Sequence, residues 1–202
     1  MEPVLTPRFE FHPTPLAGVW RVARKPIRDA RGFFARLYCA DEFRAIGLDL
    51  PIAQINHSHS RQSGTVRGLH FQHPPHHETK IVSCPVGAIF DVAVDLRRGS
   101  PTFLQWYGAE LSAENQQSLV IPPGFAHGFQ TLRSDAETIY FVTAAYSGAA
   151  EDGVHPFDPA IGIVWPVPPT EVSERDAKRA MLDRGSYAGV DLNQSAGGAN
   201  GG

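Results

Sequence analysis

Lysine is scarce in this chain. Of its 18 basic residues only Lys25, Lys80 and Lys178 are lysines, the rest being arginines. Any chemistry that needs a compact ammonium therefore has few candidates, whereas forked recognition of phosphate oxygens has many. Charge of one sign is lacking too: the formal net charge is −3, which provides no global basic field and argues against nucleic acid or an anionic membrane as partner. The two cysteines, Cys39 and Cys84, form neither a CxxC pair nor a disulfide framework, and they suit a reducing compartment. No run of about 18 apolar residues occurs, and MEPVLTPRFEF lacks a basic start followed by an apolar stretch. The expectation is a soluble cytoplasmic protein with no membrane span. No fixed-period repeat is visible.

Helical periodicity is also sparse. The best candidate is ADEFRAIGLDL, where Asp41 is expected to cap a short helix that Gly47 ends. Short β-rich runs fill most of the chain, separated by Gly, Pro, Asn and Ser: GVWRVAR, RGFFARLY, QINHSHS, TVRGLHFQ, KIVSCPVGAIFDVAVDL, TFLQWYGAEL, SLVIPPGFAHGFQTL and ETIYFVTAAY. That spacing predicts an all-β sandwich or barrel with short peripheral helices. With 202 residues, 42% hydrophobic and 12 phenylalanines, the chain can bury one good core, so a single domain over 1–192 is expected. After Trp165 the texture changes, and Ser173 should cap a short helix with Glu174 and Asp176 in its first turn. The tail 193–202, NQSAGGANGG, has nothing to bury and is expected to be disordered.

Within IFDVAVDL, Phe90, Val92, Val94 and Leu96 alternate with Ile89, Asp91, Ala93 and Asp95. The carboxylate face either lines a polar cavity or meets solvent, and alternation alone favours neither. Histidines concentrate in TVRGLHFQHPPHHETK, where His70, His73, His76 and His77 account for four of the chain's nine. A metal site would need convergent ligands. IPPGFAHGF supplies P-x-G-x-x-H (Pro122, Gly124, His127), half of a cupin metal pattern, but no H-x-H falls on the earlier strand. His57 and His59 have the spacing with no carboxylate following. His73, His76 and His77 surround a Pro74-Pro75 turn and read as loop residues. His70 lies on a strand where alternation groups it with Val66 and Gln72, so it can face a cavity as a base, and imidazole titrates near working pH; a lone histidine on a strand is nonetheless more often structural.

Taken together, RGFF, QINHS, VRGLHFQ, Lys80-Ile81-Val82, IFDVAVDLRRGSPTF, LSAENQ, IPPGFAHGFQTL, Tyr140 and DPAIGIVWP, in this order and at this spacing, resemble the dTDP-4-dehydrorhamnose 3,5-epimerase family over roughly residues 9 to 180. The resemblance implies a cupin-like jelly-roll barrel, a homodimer, no metal or other cofactor, and a nucleotide-linked 4-keto-6-deoxyhexose as substrate. It implies that His70 is the base, that Asp176 orients it, and that Tyr140 is the acid on the opposite face. Lys80 and Asp91 match polar residues of the catalytic cavity, and His127 another residue lining it. Arg31 and Arg67 match contacts to the nucleotide diphosphate. Gln54 and Asn56 fall on the nucleotide side, and Phe34 and Tyr146 are further substrate-binding positions.

Three places depart from the family pattern. Arg36 stands where Glu is common, Ala145 replaces one of a tyrosine pair, and the run His76-His77-Glu78-Thr79 before the lysine differs. A 3-epimerase or related keto-sugar isomerase, and a non-catalytic sugar-binding cupin, are the alternatives. Retention of an acid and a base speaks against the second.

Overall fold

The computed structural model describes residues 2–193. In chain order the elements are β1 (Val4–Leu5), β2 (Phe9–Pro13), β3 (Trp20–Arg24), β4 (Ile27–Asp29), β5 (Gly32–Phe34), α1 (Ala40–Phe43), β6 (Gln54–Ser60), β7 (Thr65–Gln72) and β8 (Lys80–Val86). There follow β9 (Ala88–Asp95), β10 (Trp106–Ser112), β11 (Gln117–Ile121), β12 (Phe125–Thr131), β13 (Ala136–Val142), β14 (Glu151–Gly153), β15 (Glu171–Val172) and α2 (Glu174–Ala177). One sheet runs β1-β2-β3-β11-β8-β13-β6, and the other β10-β9-β12-β7-β14, with β15 lying parallel to β7. β4 and β5 pair only with each other, as a hairpin outside both sheets. The neighbours are largely non-consecutive in sequence, as in a jelly roll, and the expected all-β class with short helices is what is found. The expected disordered tail falls, from residue 194, outside the described residues.

Strand alternation puts a different set of apolar side chains on each face of each sheet. Between the sheets, Val82 and Cys84 of β8, Leu119 and Ile121 of β11, and Ala136 of β13 meet Ile89, Ala93, Leu111, Phe125 and Phe129 from the second sheet. The outer face of the second sheet, with Leu69, Phe71, Val92, Val94 and Ala126, is covered by the C-terminal segment through Val154, Ile161 and Val190. The outer face of the first sheet, with Phe9, Phe11, Val22, Ile81, Val120 and Phe141, is covered by the α1 segment through Phe43 and Leu48. There Phe43 meets Phe9 and Phe11 edge-on, at ring-centroid distances of 5.1 and 5.0 Å. Truncating a buried ring of this kind costs about 3–5 kcal/mol.

Two local expectations change. The helix in ADEFRAIGLDL is a single turn continued by a 3-10 turn over Arg44–Ile46, and its cap position is Cys39, which makes no side-chain cap bond. Asp41 lies inside the turn and pairs with Arg44 at 2.5 Å, while Gly47 ends the element in the left-handed region at φ 82° as expected. In IFDVAVDL both faces are buried, because helix-poor sandwiches cover their sheets with loops. The carboxylate face points between the sheets, not to solvent.

Candidate active site

Where the inward-facing residues turn polar, a cleft opens between the sheets. It has two lobes of ≈ 270 and ≈ 360 Å³, and His70, Lys80 and Tyr140 line both. His70 comes from β7 of one sheet, whereas Lys80 and Tyr140 come from β8 and β13 of the other. The first lobe adds Gln54, Asn56 and Tyr146, and the second Arg67 and His127. Parity explains the assembly. His70, Lys80, Gln54, Asn56 and His127 share the inward face of their strands, while Leu69, Ile81, Phe141 and Ala126, one residue away, pack outward.

His70 Nε2 meets Asp176 Oδ1 at 2.6 Å, which leaves Nδ1 as the free ring nitrogen. The two residues are 106 positions apart. Parallel pairing of β15 with β7 closes that gap, setting Val172 opposite Val66. Ser173 then caps α2 by accepting from the Asp176 N–H at 3.1 Å, and this turn delivers the carboxylate. Burial pushes the Asp176 carboxyl up, but the His70 bond and charge, together with donors from Ser173 and Gly68, outweigh it and hold the carboxyl below its usual range. Gly68 is required here. Its φ is 116°, and a Cβ would sit 2.6 Å from Gly128 Cα and 2.7 Å from the His127 carbonyl oxygen. Only glycine lets β7 and β12 approach this closely while its N–H reaches Asp176 Oδ2 at 3.3 Å.

On the opposite wall, burial raises the Tyr140 phenol, with Arg67 pulling the other way, so the hydroxyl keeps its proton at neutral pH. Lys80 Nζ donates to the His70 carbonyl oxygen at 3.2 Å and faces Glu78 Oε1 at 3.3 Å. Behind the second lobe a further pair forms: His127 Nε2 lies 2.7 Å from Asp91 Oδ1. Asp91 is fully buried, its Oδ2 has no partner, and burial pushes its carboxyl up, only partly opposed by His127 and Lys80.

Not every expected residue reaches the cleft. Asp91 is behind His127 and forms no part of its wall. Arg31 and Phe34 lie on the β4–β5 hairpin and do not line it: the Arg31 side chain is 90% exposed and bonded to Asp29, and Phe34 is 66% exposed. That hairpin pairs with neither sheet, so nothing within the chain carries it to the site. Arg36, the departure from the family pattern, is taken up by Glu42 at 2.9 Å. Arg67 does line the cleft, and bonds only neutral oxygens, Ser60 Oγ at 3.0 Å and the His59 carbonyl at 3.1 Å. His57 and His59 project from the outward face of β6 toward Glu137 and Asp135 across the ladder, at 2.9 and 3.1 Å. Among the described residues no group of three or more His, Cys, Asp or Glu side chains is arranged to hold a metal.

Sequence reasoning missed Gln72, Glu78, Glu151 and Arg175, which also line the cleft. Glu78 and Gln72 were legible by parity with Lys80 and His70. Glu151 was not, because it arrives through the pairing of β14 with β7 that sets it opposite Gln72. There it accepts the Tyr146 hydroxyl at 2.7 Å and pairs with Arg175.

A profile of the family described as dTDP-4-dehydrorhamnose 3,5-epimerase matches residues 13–184. The dTDP-4-dehydrorhamnose 3,5-epimerase of Sinorhizobium fredii is 46% identical over 173 residues, 85% of this chain and 89% of that protein. The dTDP-4-dehydrorhamnose 3-epimerase of Streptomyces niveus is 39% identical over 181 residues, 89% of this chain and 87% of its own length. The fold matches the crystal structure of a dTDP-6-deoxy-D-glucose-3,5-epimerase from Legionella pneumophila in complex with dTDP-4-keto-L-rhamnose, with a TM-score of 0.84 at 36% identity, over 90% of this chain and 98% of that one. With a match of this extent to the profile, and with the cleft built from the same motifs that carried the resemblance, the chain belongs to the dTDP-4-dehydrorhamnose 3,5-epimerase family.

Proposed function

We propose that this isomerase inverts C3 and C5 of a dTDP-linked 4-keto-6-deoxyhexose, dTDP-4-dehydro-6-deoxyglucose, in deoxysugar biosynthesis. The observation that carries the reading is the placement of His70 and Tyr140 on opposite sheets across one cleft, with Lys80 lining both lobes. A ketone at C4 acidifies the C–H bonds on either side of it. Inversion takes the proton from one face and returns one to the other, so two groups on opposite walls are needed.

In this reading the free ring nitrogen of His70 takes the proton from carbon. The C–H electron pair moves into the ring and onto the C4 oxygen, forming an enolate, and Asp176 holds the imidazole in orientation and stabilises the imidazolium. The Lys80 ammonium stabilises the enolate oxygen. Tyr140 donates its hydroxyl proton to carbon from the other wall and is reprotonated from solvent, to which the His70 imidazolium releases the proton it took. Arg67, without a carboxylate partner, engages the diphosphate, while Gln54, Asn56 and Tyr146 contact the remainder of the substrate. Asp91 acts through His127 and does not touch the sugar.

Residues 1–192 work in this reading as one catalytic domain in the cytoplasm; no helix among the described residues is long and apolar enough to cross a membrane. The functional unit is a homodimer. Ile27, Phe33 and Phe34 of the hairpin are 47%, 57% and 66% exposed, and burial against a second copy would carry Arg31 and Phe34 toward that copy's substrate.

Turnover of dTDP-4-dehydro-6-deoxyglucose in deuterated water tests the assignment. Wild type should incorporate deuterium at C3 and C5, and His70→Asn at neither. Near wild-type exchange in His70→Asn would overturn the base assignment. Exchange at C3 alone in wild type would make the protein a 3-epimerase, the activity named for the Streptomyces niveus relative.

A further inference from the structure

Glu78 belongs to the one stretch before the lysine that departs from the family pattern, and no step above uses it. Its side chain is only 6% exposed, and it lines the first lobe of the cleft. One carboxylate oxygen, Oε1, faces Lys80 Nζ at 3.3 Å. The other, Oε2, accepts from Gln72 Nε2 at 2.8 Å.

Gln72 cannot turn to suit a different neighbour. Its Oε1 accepts the Ser147 N–H at 2.6 Å, and its Nε2 also donates to the His76 carbonyl oxygen at 2.9 Å. The amide orientation is thereby fixed from both ends, and position 78 faces an N–H donor on one side and an ammonium on the other. Only a carboxylate accepts on both sides; a primary amide has one acceptor oxygen and must turn its NH₂ toward one of the two donors.

A lysine left to itself is a point charge on a flexible four-carbon stem. Lys80 has three N–H donors. The His70 carbonyl and Glu78 take two of them, and the third is left for the cleft. The same carboxylate offsets the ammonium's charge at longer range, while the third N–H stays available to a group in direct contact. The diphosphate is the strongest anion on the substrate, and Arg67 is the cleft cation with no carboxylate on it.

We propose that Glu78 is a positioning residue that braces Lys80 against the Gln72 frame and reserves its ammonium for the C4 oxygen of the reacting sugar instead of the diphosphate. This rests on the epimerase reading above, and deepens it. Glu78 makes no contact with the reacting atoms and works through Lys80.

Two readouts that move in opposite directions test it. In Glu78→Gln, kcat for the keto-sugar should fall about tenfold or more, the scale of a misplaced oxyanion donor. Affinity for free dTDP, measured by calorimetry, should rise about threefold, because the Lys80 charge is no longer balanced. A merely structural role would weaken both. In a Lys80→Met background, Glu78→Gln should leave dTDP affinity unchanged, since the charge through which it acts is gone. Glu78→Asp, which keeps both acceptors on a shorter stem, should recover dTDP affinity to the wild-type value. Turnover and affinity both unchanged in Glu78→Gln, both reduced together, or an affinity change that persists without Lys80, would each overturn the proposal. A wild-type protein that binds dTDP but epimerises no keto-sugar would instead remove the reading beneath it.

Discussion

Asp91 and Asp95 sit four residues apart on β9, share its inward face and are both 0% exposed. Asp95 is saturated. It accepts from Arg97 N at 3.0 Å, Arg97 Nε at 2.9 Å and Nη2 at 2.7 Å, and from Ser100 and Thr102 hydroxyls at 2.6 Å each. Asp91 has His127 and one orphaned oxygen. Burial pushes both carboxyls upward; the donors around Asp95 reverse that and hold it low, while those around Asp91 do not. Equal burial thus conceals opposite circumstances. A carboxylate whose every lone pair is answered holds a turn together, whereas one left short in a buried site stores electrostatic strain next to a cleft.

Asp176 is the case that breaks a simple division. By titration it resembles Asp95, held low by its partners, yet its partner is His70. Asp176→Asn should lower turnover by about three orders of magnitude, or about 4 kcal/mol, through loss of imidazole orientation. Stability should fall modestly at neutral pH, where the ionised carboxylate contributes to the fold, and differ least in acid. A carboxyl depressed in the folded state stabilises above its unfolded pKa, and that contribution disappears as pH falls through the folded value. Steady-state kinetics alongside thermal melts at several pH values separate the two effects. Turnover within tenfold of wild type would return Asp176 to the class of Asp95.

Asp95→Ala is the inverse. It strips Arg97 of its bidentate partner and leaves the Ser100 and Thr102 hydroxyls with only each other as partners, so stability should fall by about 3 kcal/mol, at the low end for a broken buried pair because the Arg97 side chain is 24% exposed. Turnover per folded molecule should be kept. Equilibrium denaturation with activity normalised to the folded fraction checks it, and Thr102→Val should reproduce about 1 kcal/mol of the loss.

The same contrast marks how far the sequence could be read. Alternation in IFDVAVDL revealed a two-faced strand, and parity placed His70 inward. Ser173 was legible as a cap because its chemistry is local. Asp41 failed as a cap because aromatic packing around Phe43, a tertiary matter, sets where that turn begins. Asp91 and Asp95 could not be told apart, since the donors that separate them come from a loop and from β12. The cleft position of Asp176 followed from the family resemblance, not from spacing, because a parallel β15–β7 pairing leaves no periodic trace. Arg31 and Phe34 carry the motif, but no strand pairing within the chain brings their hairpin to the cleft.

The smallest effect is the one that sharpens the comparison most. Asp91→Asn keeps an acceptor for His127 and removes a charge that burial disfavours. A carboxyl whose folded pKa is raised loses stability as pH climbs from the unfolded value through the folded one; the raised Asp91 carboxyl therefore weighs against the fold at neutral and alkaline pH. The Asn variant escapes that loss. It should be more stable than wild type by about 1 kcal/mol at pH 8, a rise in melting temperature of about 2–4 °C, with the gain shrinking toward acid pH as wild-type Asp91 takes up its proton. Turnover should fall, because His127 then leans on a neutral amide instead of a carboxylate at the back of the cleft. Melts from pH 4 to 8 give the sign directly. A variant less stable than wild type at pH 8, with the deficit growing as pH rises, would mean that the His127 pair stabilises the ionised Asp91 after all, and that Asp91 and Asp95 differ in the number of their donors but not in what they do for the fold.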